Sequence, residues 1–101
     1  MNEAEPDVTD MLTVIILIQG IPAYTLFDTG SSISFVATSF ISEHHLPVEP
    51  YTSAMIIETP TGTTTTSQWV KSAKITLSKS DFEANFFVLN LTEYDIIIGM
   101  Y

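Results

Sequence analysis

Asp28 has the most unusual surroundings of any acidic residue in this chain. It stands in "LFDTGSS", residues 26–32, between an apolar pair and a run of small polar residues. Leu26 and Phe27 read as the end of a buried strand, and the residues from Thr29 to Ser32 as a tight polar turn. A carboxylate so placed is held by backbone and hydroxyl donors, which suits general acid–base chemistry. Gly30 lets the chain turn sharply and lets another backbone or a substrate come close. Ser31 and Ser32 can donate to the carboxylate or to a bound ligand. A lone aspartate in water is nonetheless a poor peptidase, because hydrolysis needs an acid and a base together.

The other candidate groups have ordinary readings. Asp95 precedes the apolar run "IIIG", where acids form turn or cap hydrogen bonds, so its expected role is structural. His44 and His45 are adjacent and diverge by about 100° on a helix. No third ligand accompanies them, so a solvated helix face is expected and no metal. Asp-x-Gly-Ser turns also cradle phosphate in actin-like ATPases and sugar kinases. Those folds need longer chains, alternating helices and a second phosphate loop. Asn90-Leu91-Thr92 matches the glycosylation acceptor pattern and reads as chance without a secretory route.

Composition narrows the function classes further. With 101 residues, 46% of them hydrophobic, the chain is one folded domain. Twelve acids against three lysines and no arginine give a net charge of −9, which repels phosphate backbones and anionic membranes. No nucleic-acid or membrane partner is therefore expected. The absence of cysteine removes disulfides and thiolate zinc sites and fits a reducing compartment. The longest apolar stretch, 11–18, is too short to span a bilayer. It follows an acidic segment where a signal peptide would be basic. A soluble, cytoplasmic protein is expected.

The elements that must position Asp28 are mostly strands. Residues 11–18 and 23–27 are β-prone runs around the turn chemistry of Gln19-Gly20-Ile21-Pro22, a hairpin that delivers Asp28 to its end. Residues 33–36 form a short strand. Thr38 or Ser39 caps a brief helix to about His45, and Leu46-Pro47-Val48-Glu49-Pro50 ends it. Residues 53–59 and 63–77 are β-prone runs separated by Pro60-Thr61-Gly62, which suits a hairpin tip. Threonines 63–66 have strand propensity without grease, so this hairpin projects into solvent. A turn at 78–81, a strand over 82–89 and a buried run at 95–99 complete the pattern. Residues 1–10 read as a flexible acidic arm. Trp69 belongs to the core or to an interface.

"LFDTGSSISFV" resembles the active-site loop of aspartic proteases, hydrophobic–hydrophobic–Asp–Thr/Ser–Gly. "YDIIIGM", 94–100, is similar to the second signature of the retropepsin branch, aliphatics followed by glycine. With "SFISEHHLPVEP", 39–50, the match is closest to proteases of Ty3/gypsy-type retrotransposons and their host-derived relatives. It runs from about Val14 to Met100. The triplet alone is weak; triplet, hairpin and aliphatic–Gly in that order are a specific combination.

The resemblance implies a mainly β fold: a small closed β-barrel of the retropepsin (acid protease) type with a flap hairpin and one short helix. It implies a homodimeric aspartic endopeptidase acting on a polyprotein or other extended peptide, with one Asp28 from each copy and no cofactor. Two carboxylates too close to ionise together share a proton, so one activates water while the other polarises the scissile carbonyl. By position, Thr29 links the two loops, Gly30 allows their approach, Ser31 bonds the outer oxygen of Asp28, and Ser32 meets substrate backbone. Thr59, Pro60, Thr61, Gly62 and Thr63 would form the flap over the substrate. Ile97 would line a subsite, and Gly99 would let the last strand pass beside the catalytic loop. The family pattern continues past Gly-Met with Asp-Trp-Leu and a helix, so the domain over 11–101 is expected to lack that C-terminal helix. The competing expectation is an inactive retropepsin-like module that binds peptides or proteins.

Overall fold

β-branched and aromatic runs separated by short turns form seven strands and one helix among the described residues. The structure is a computed structural model that describes residues 11–59 and 62–100. The acidic arm over 1–10, and Pro60 and Thr61 of the hairpin tip, lie outside the described residues. In chain order the elements are β1 (Met11–Ile18), β2 (Ile21–Asp28), β3 (Ser34–Ala37), α1 (Thr38–His44), β4 (Glu49–Thr59), β5 (Gly62–Leu77), β6 (Ser80–Leu89) and β7 (Ile96–Gly99).

The strands make one sheet in the order β1-β2-β7-β3-β6-β5-β4, and β1 also pairs with β5 through Leu17↔Thr76 and Ile18↔Ile75. Six strands thus close into a ring, and β4 lies outside it along β5. Closure removes the exposed edges of those six strands. Ile16, Ile18, Val36, Val70, Ile75, Phe86, Ile96 and Ile98 pack together as the main core, joined by Phe40 of α1. Each fully buried side chain of this kind contributes about 1.5–3 kcal/mol through removal from water.

Three local departures from the sequence expectation have physical causes. The β1–β2 turn is only Gln19-Gly20, both at positive φ (52° and 79°). That two-residue hairpin loop matches strand twist, so Ile21 and Pro22 enter β2 rather than the turn. β4 begins at Glu49, ahead of the expected position 53, because an edge strand tolerates Pro50. The N-cap of α1 is Ala37, with no side-chain cap bond. The Thr38 hydroxyl instead donates to the Leu89 carbonyl oxygen at 3.2 Å, fastening α1 to β6. His44 packs its ring on Phe40, with centroids 4.5 Å apart, and His45 closes the helix in the left-handed conformation.

A second cluster joins the base of the β4–β5 hairpin to the barrel. Phe35, Ile57 and Phe87 are its buried members, with Tyr51 and Trp69 packed against them. Tyr51 meets Trp69 and Phe87 edge-on at centroid distances of 4.7 and 4.8 Å. Trp69 is therefore a half-buried anchor of the hairpin, whose threonines from Thr63 to Thr65 project exposed beyond it. Among the described residues no helix is long and apolar enough to cross a membrane.

Candidate active site

β2 carries Asp28 to the end of the barrel between two neighbours. Asp28 pairs antiparallel with Met11 of β1 and parallel with Gly99 of β7. The chain then turns back, with Ser31 N donating to the Asp28 carbonyl oxygen at 3.2 Å. The side chain joins the same turn: Gly30 N donates to Asp28 Oδ1 at 2.9 Å, an Asx-type bond that fixes the carboxylate direction. Gly30 is not at positive φ, so the turn itself does not demand glycine. A Cβ there would lie 3.3 Å from Asp28 Oδ1, so the carboxylate would have to shift by a few tenths of an ångström to admit it.

β7 clasps the loop from behind. Gly99 N donates to the buried Ser34 Oγ at 3.1 Å, and Met100 N donates to the Ser31 carbonyl oxygen at 2.8 Å. The strand comes so close that a Cβ on Gly99 would lie 2.7 Å from both the Ser31 and Ile33 carbonyl oxygens. Ser31 differs from its expected partner. Its hydroxyl donates to the Ile33 carbonyl oxygen at 2.8 Å and accepts from Ile33 N at 3.2 Å, so it braces the loop, and Gly30 supplies the carboxylate's donor.

Asp95 works as a strand clamp. Its Oδ2 accepts from Tyr24 N at 2.8 Å. Its own N–H donates to the Tyr24 carbonyl oxygen, and its carbonyl oxygen accepts from Ala37 N, both at 2.8 Å. One residue thereby ties β2, β3 and the entry to β7.

Asp28 opens onto a cleft of about 550 Å³. Of the residues singled out in the sequence, Asp28, Gly30, Ser31, Ser32 and Ile97 line it. Thr29 is exposed at the apex of the turn. The hairpin contributes through Ile56, Ile57 and Glu58 of β4. Thr59 and Gly62 pair beyond them at the tip, with Gly62 at φ 139°, and Thr63 is exposed opposite Glu58. Ile33, Phe35, Leu89 and Leu91 also line the cleft and were not singled out. The signal for two of them was alternation: Ile33, just ahead of β3, is two residues from Phe35, and Phe35 pairs with Ile97, but that register is invisible before β3 and β7 are paired.

A closed barrel of this order, with an Asp-Thr-Gly turn held at one end by an aliphatic–glycine strand, defines a retropepsin-like protein. The retroviral aspartyl protease family model matches residues 1–101, and the chain belongs to that family. Among solved structures, EIAV protease complexed with the inhibitor HBY-793 is similar at 20% identity and TM-score 0.73, over 95% of this chain and 88% of that one. The solution structure of simian foamy virus (mac) protease is similar at 18% identity and TM-score 0.57, over 87% of each chain. Both likenesses establish the fold, a small, mainly β barrel of the retropepsin type. No curated protein sequence matches the chain.

Proposed function

We propose that this protein is an aspartic endopeptidase that acts as a homodimer on extended peptide segments of a polyprotein. The observation that carries the reading is the Asp28 carboxylate, fixed by Gly30 N and lining an otherwise mainly apolar cleft. One chain supplies one such carboxylate, and peptide hydrolysis by this chemistry needs two. A second copy docked at the Asp28 end supplies the other. Leu12 (60% exposed), the register partner of Phe27, and Met100 (50%), next to Gly99, form an apolar rim at that end suited to such a contact.

In the paired site one Asp28 is ionised and takes a proton from water as its oxygen attacks the scissile carbonyl carbon. The other, protonated, donates to the carbonyl oxygen. Collapse of the tetrahedral diol breaks the C–N bond, and the proton passes to the leaving amine. Thr29 and Gly30 stand at the meeting of the two loops. Ser32 faces substrate backbone, Ile97 lines an apolar subsite, and the β4–β5 hairpin that carries Thr59, Gly62 and Thr63 acts as the flap over the peptide.

The test is cleavage of an unfolded polypeptide by wild type and by Asp28→Ala. Cleavage by wild type that is lost in the variant is expected. Equal cleavage by both would remove the aspartic mechanism, and peptide binding without cleavage in wild type would leave a binding module.

A further inference from the structure

The cleft beside Asp28 is apolar along its walls and acidic at its mouth. Ile33, Ile57 and Ile97 are among its walls, and its two charged residues, Asp28 and Glu58, are both carboxylates. The neighbouring recess of about 370 Å³, which shares Leu89 and Leu91 with it, adds Glu93. No cation lines either recess among the described residues. The three lysines lie elsewhere, Lys71 and Lys74 on the far half of β5 and Lys79 in the turn after it. The chain as a whole carries −9, so the field at the mouth attracts cationic groups and repels anionic ones.

Glu58 is the carboxylate placed to act on this. Side chains alternate along β4: Ile57 turns inward, 8% exposed in the cluster with Phe35 and Phe87. Glu58 shares the opposite, open side with Ile56, which is 71% exposed. Among the described residues Glu58 has no ion-pair partner. An unpaired carboxylate on the arm that borders the cleft meets whatever side chain flanks the group seated inside.

Resting on the reading of this cleft as a peptide groove, we propose that Glu58 is a specificity-determining residue that selects Lys or Arg beside a bulky apolar side chain. The apolar residue seats against Ile33, Ile57 and Ile97, and its cationic neighbour pairs with Glu58 at the mouth. The substrate class is then an extended basic–apolar peptide, and acidic segments are excluded.

The test uses three peptides that share an apolar centre and differ at one flanking position: Lys, norleucine or Glu. Cleavage is followed with wild type, Glu58→Gln and Glu58→Lys, and binding by fluorescence anisotropy with Asp28→Asn and its double variants. Wild type should prefer Lys over norleucine by about 1.5- to fivefold, the range an exposed ion pair supplies. The ratio should shrink at about 0.5 M salt, fall to unity in Glu58→Gln, and turn toward the Glu peptide in Glu58→Lys. A Lys preference that persists in Glu58→Gln, or no Lys preference in wild type, overturns the proposal. Glu58-dependent binding without cleavage would sustain the selection and defeat the peptidase reading. Neither binding nor cleavage of any of the three peptides would overturn both.

Discussion

Substituting Gly99 by alanine tests the clasp that holds the Asp28 loop. The added Cβ would lie 2.7 Å from the Ser31 and Ile33 carbonyl oxygens and 2.8 Å from Ile33 N. All three are backbone atoms and cannot swing aside as a side-chain end would. Relief requires β7 and the loop to separate by several tenths of an ångström. That motion stretches Met100 N to Ser31 O and Gly99 N to Ser34 Oγ, now 2.8 and 3.1 Å. Overpacking costs about 1–3 kcal/mol, and a weakened hydrogen bond adds about 1 kcal/mol. The sum, about 2–4 kcal/mol, lowers Tm by roughly 10–25 °C for a domain of this size. Thermal unfolding followed by far-UV circular dichroism reads the shift. Gly20→Ala is the control, because nothing lies within 4 Å of its Cβ and only φ +79° is strained. It should cost about 1 kcal/mol, the penalty of one left-handed residue, and leave the cleft intact. A Gly99→Ala protein melting within about 3 °C of wild type, with unchanged peptide cleavage, would refute the clasp.

Gly30→Ala should separate catalysis from stability: its Cβ would press Asp28 Oδ1 at 3.3 Å while the backbone needs no positive φ. Cleavage should fall about tenfold from the displaced carboxylate with Tm nearly unchanged, and unchanged kcat/KM would show that the direction set by Gly30 does not matter. Asp95→Asn keeps an oxygen able to accept from Tyr24 N and should retain activity, whereas Asp95→Ala should lose about 1–3 kcal/mol in denaturant unfolding. Loss of cleavage in Asp95→Asn as deep as in Asp28→Asn would make Asp95 a catalytic carboxylate instead of a clamp.

Local chemistry was legible and non-local pairing was not. The aliphatic run of β1, the glycine after Gln19 and the strand ending at Asp28 each carry their signal within a few residues, so the hairpin that delivers the carboxylate could be read directly. β7 could be recognised as buried from "IIIG", but its place between β2 and β3, parallel to one and antiparallel to the other, leaves no local trace. For that reason Phe35 was missed as a cleft residue, and the equally non-local β3–β6 pairing, Ala37 with Leu89, hid Leu89. Hydroxyl partners were the other blind spot. Thr38 and Ser31 can each bond several nearby groups, and the tertiary neighbours, Leu89 in one case and the Ile33 backbone in the other, decide which is used.

The central claim is that two chains build one site, each giving one Asp28. Mixing wild type with an excess of Asp28→Asn protein, refolded together, measures it most directly. With a ninefold excess of the variant, about one wild-type chain in ten pairs with another wild-type chain, so cleavage per wild-type chain should fall about tenfold. Cleavage that stays constant as the variant is added would mean that a single chain carries the activity, and the shared site would be wrong.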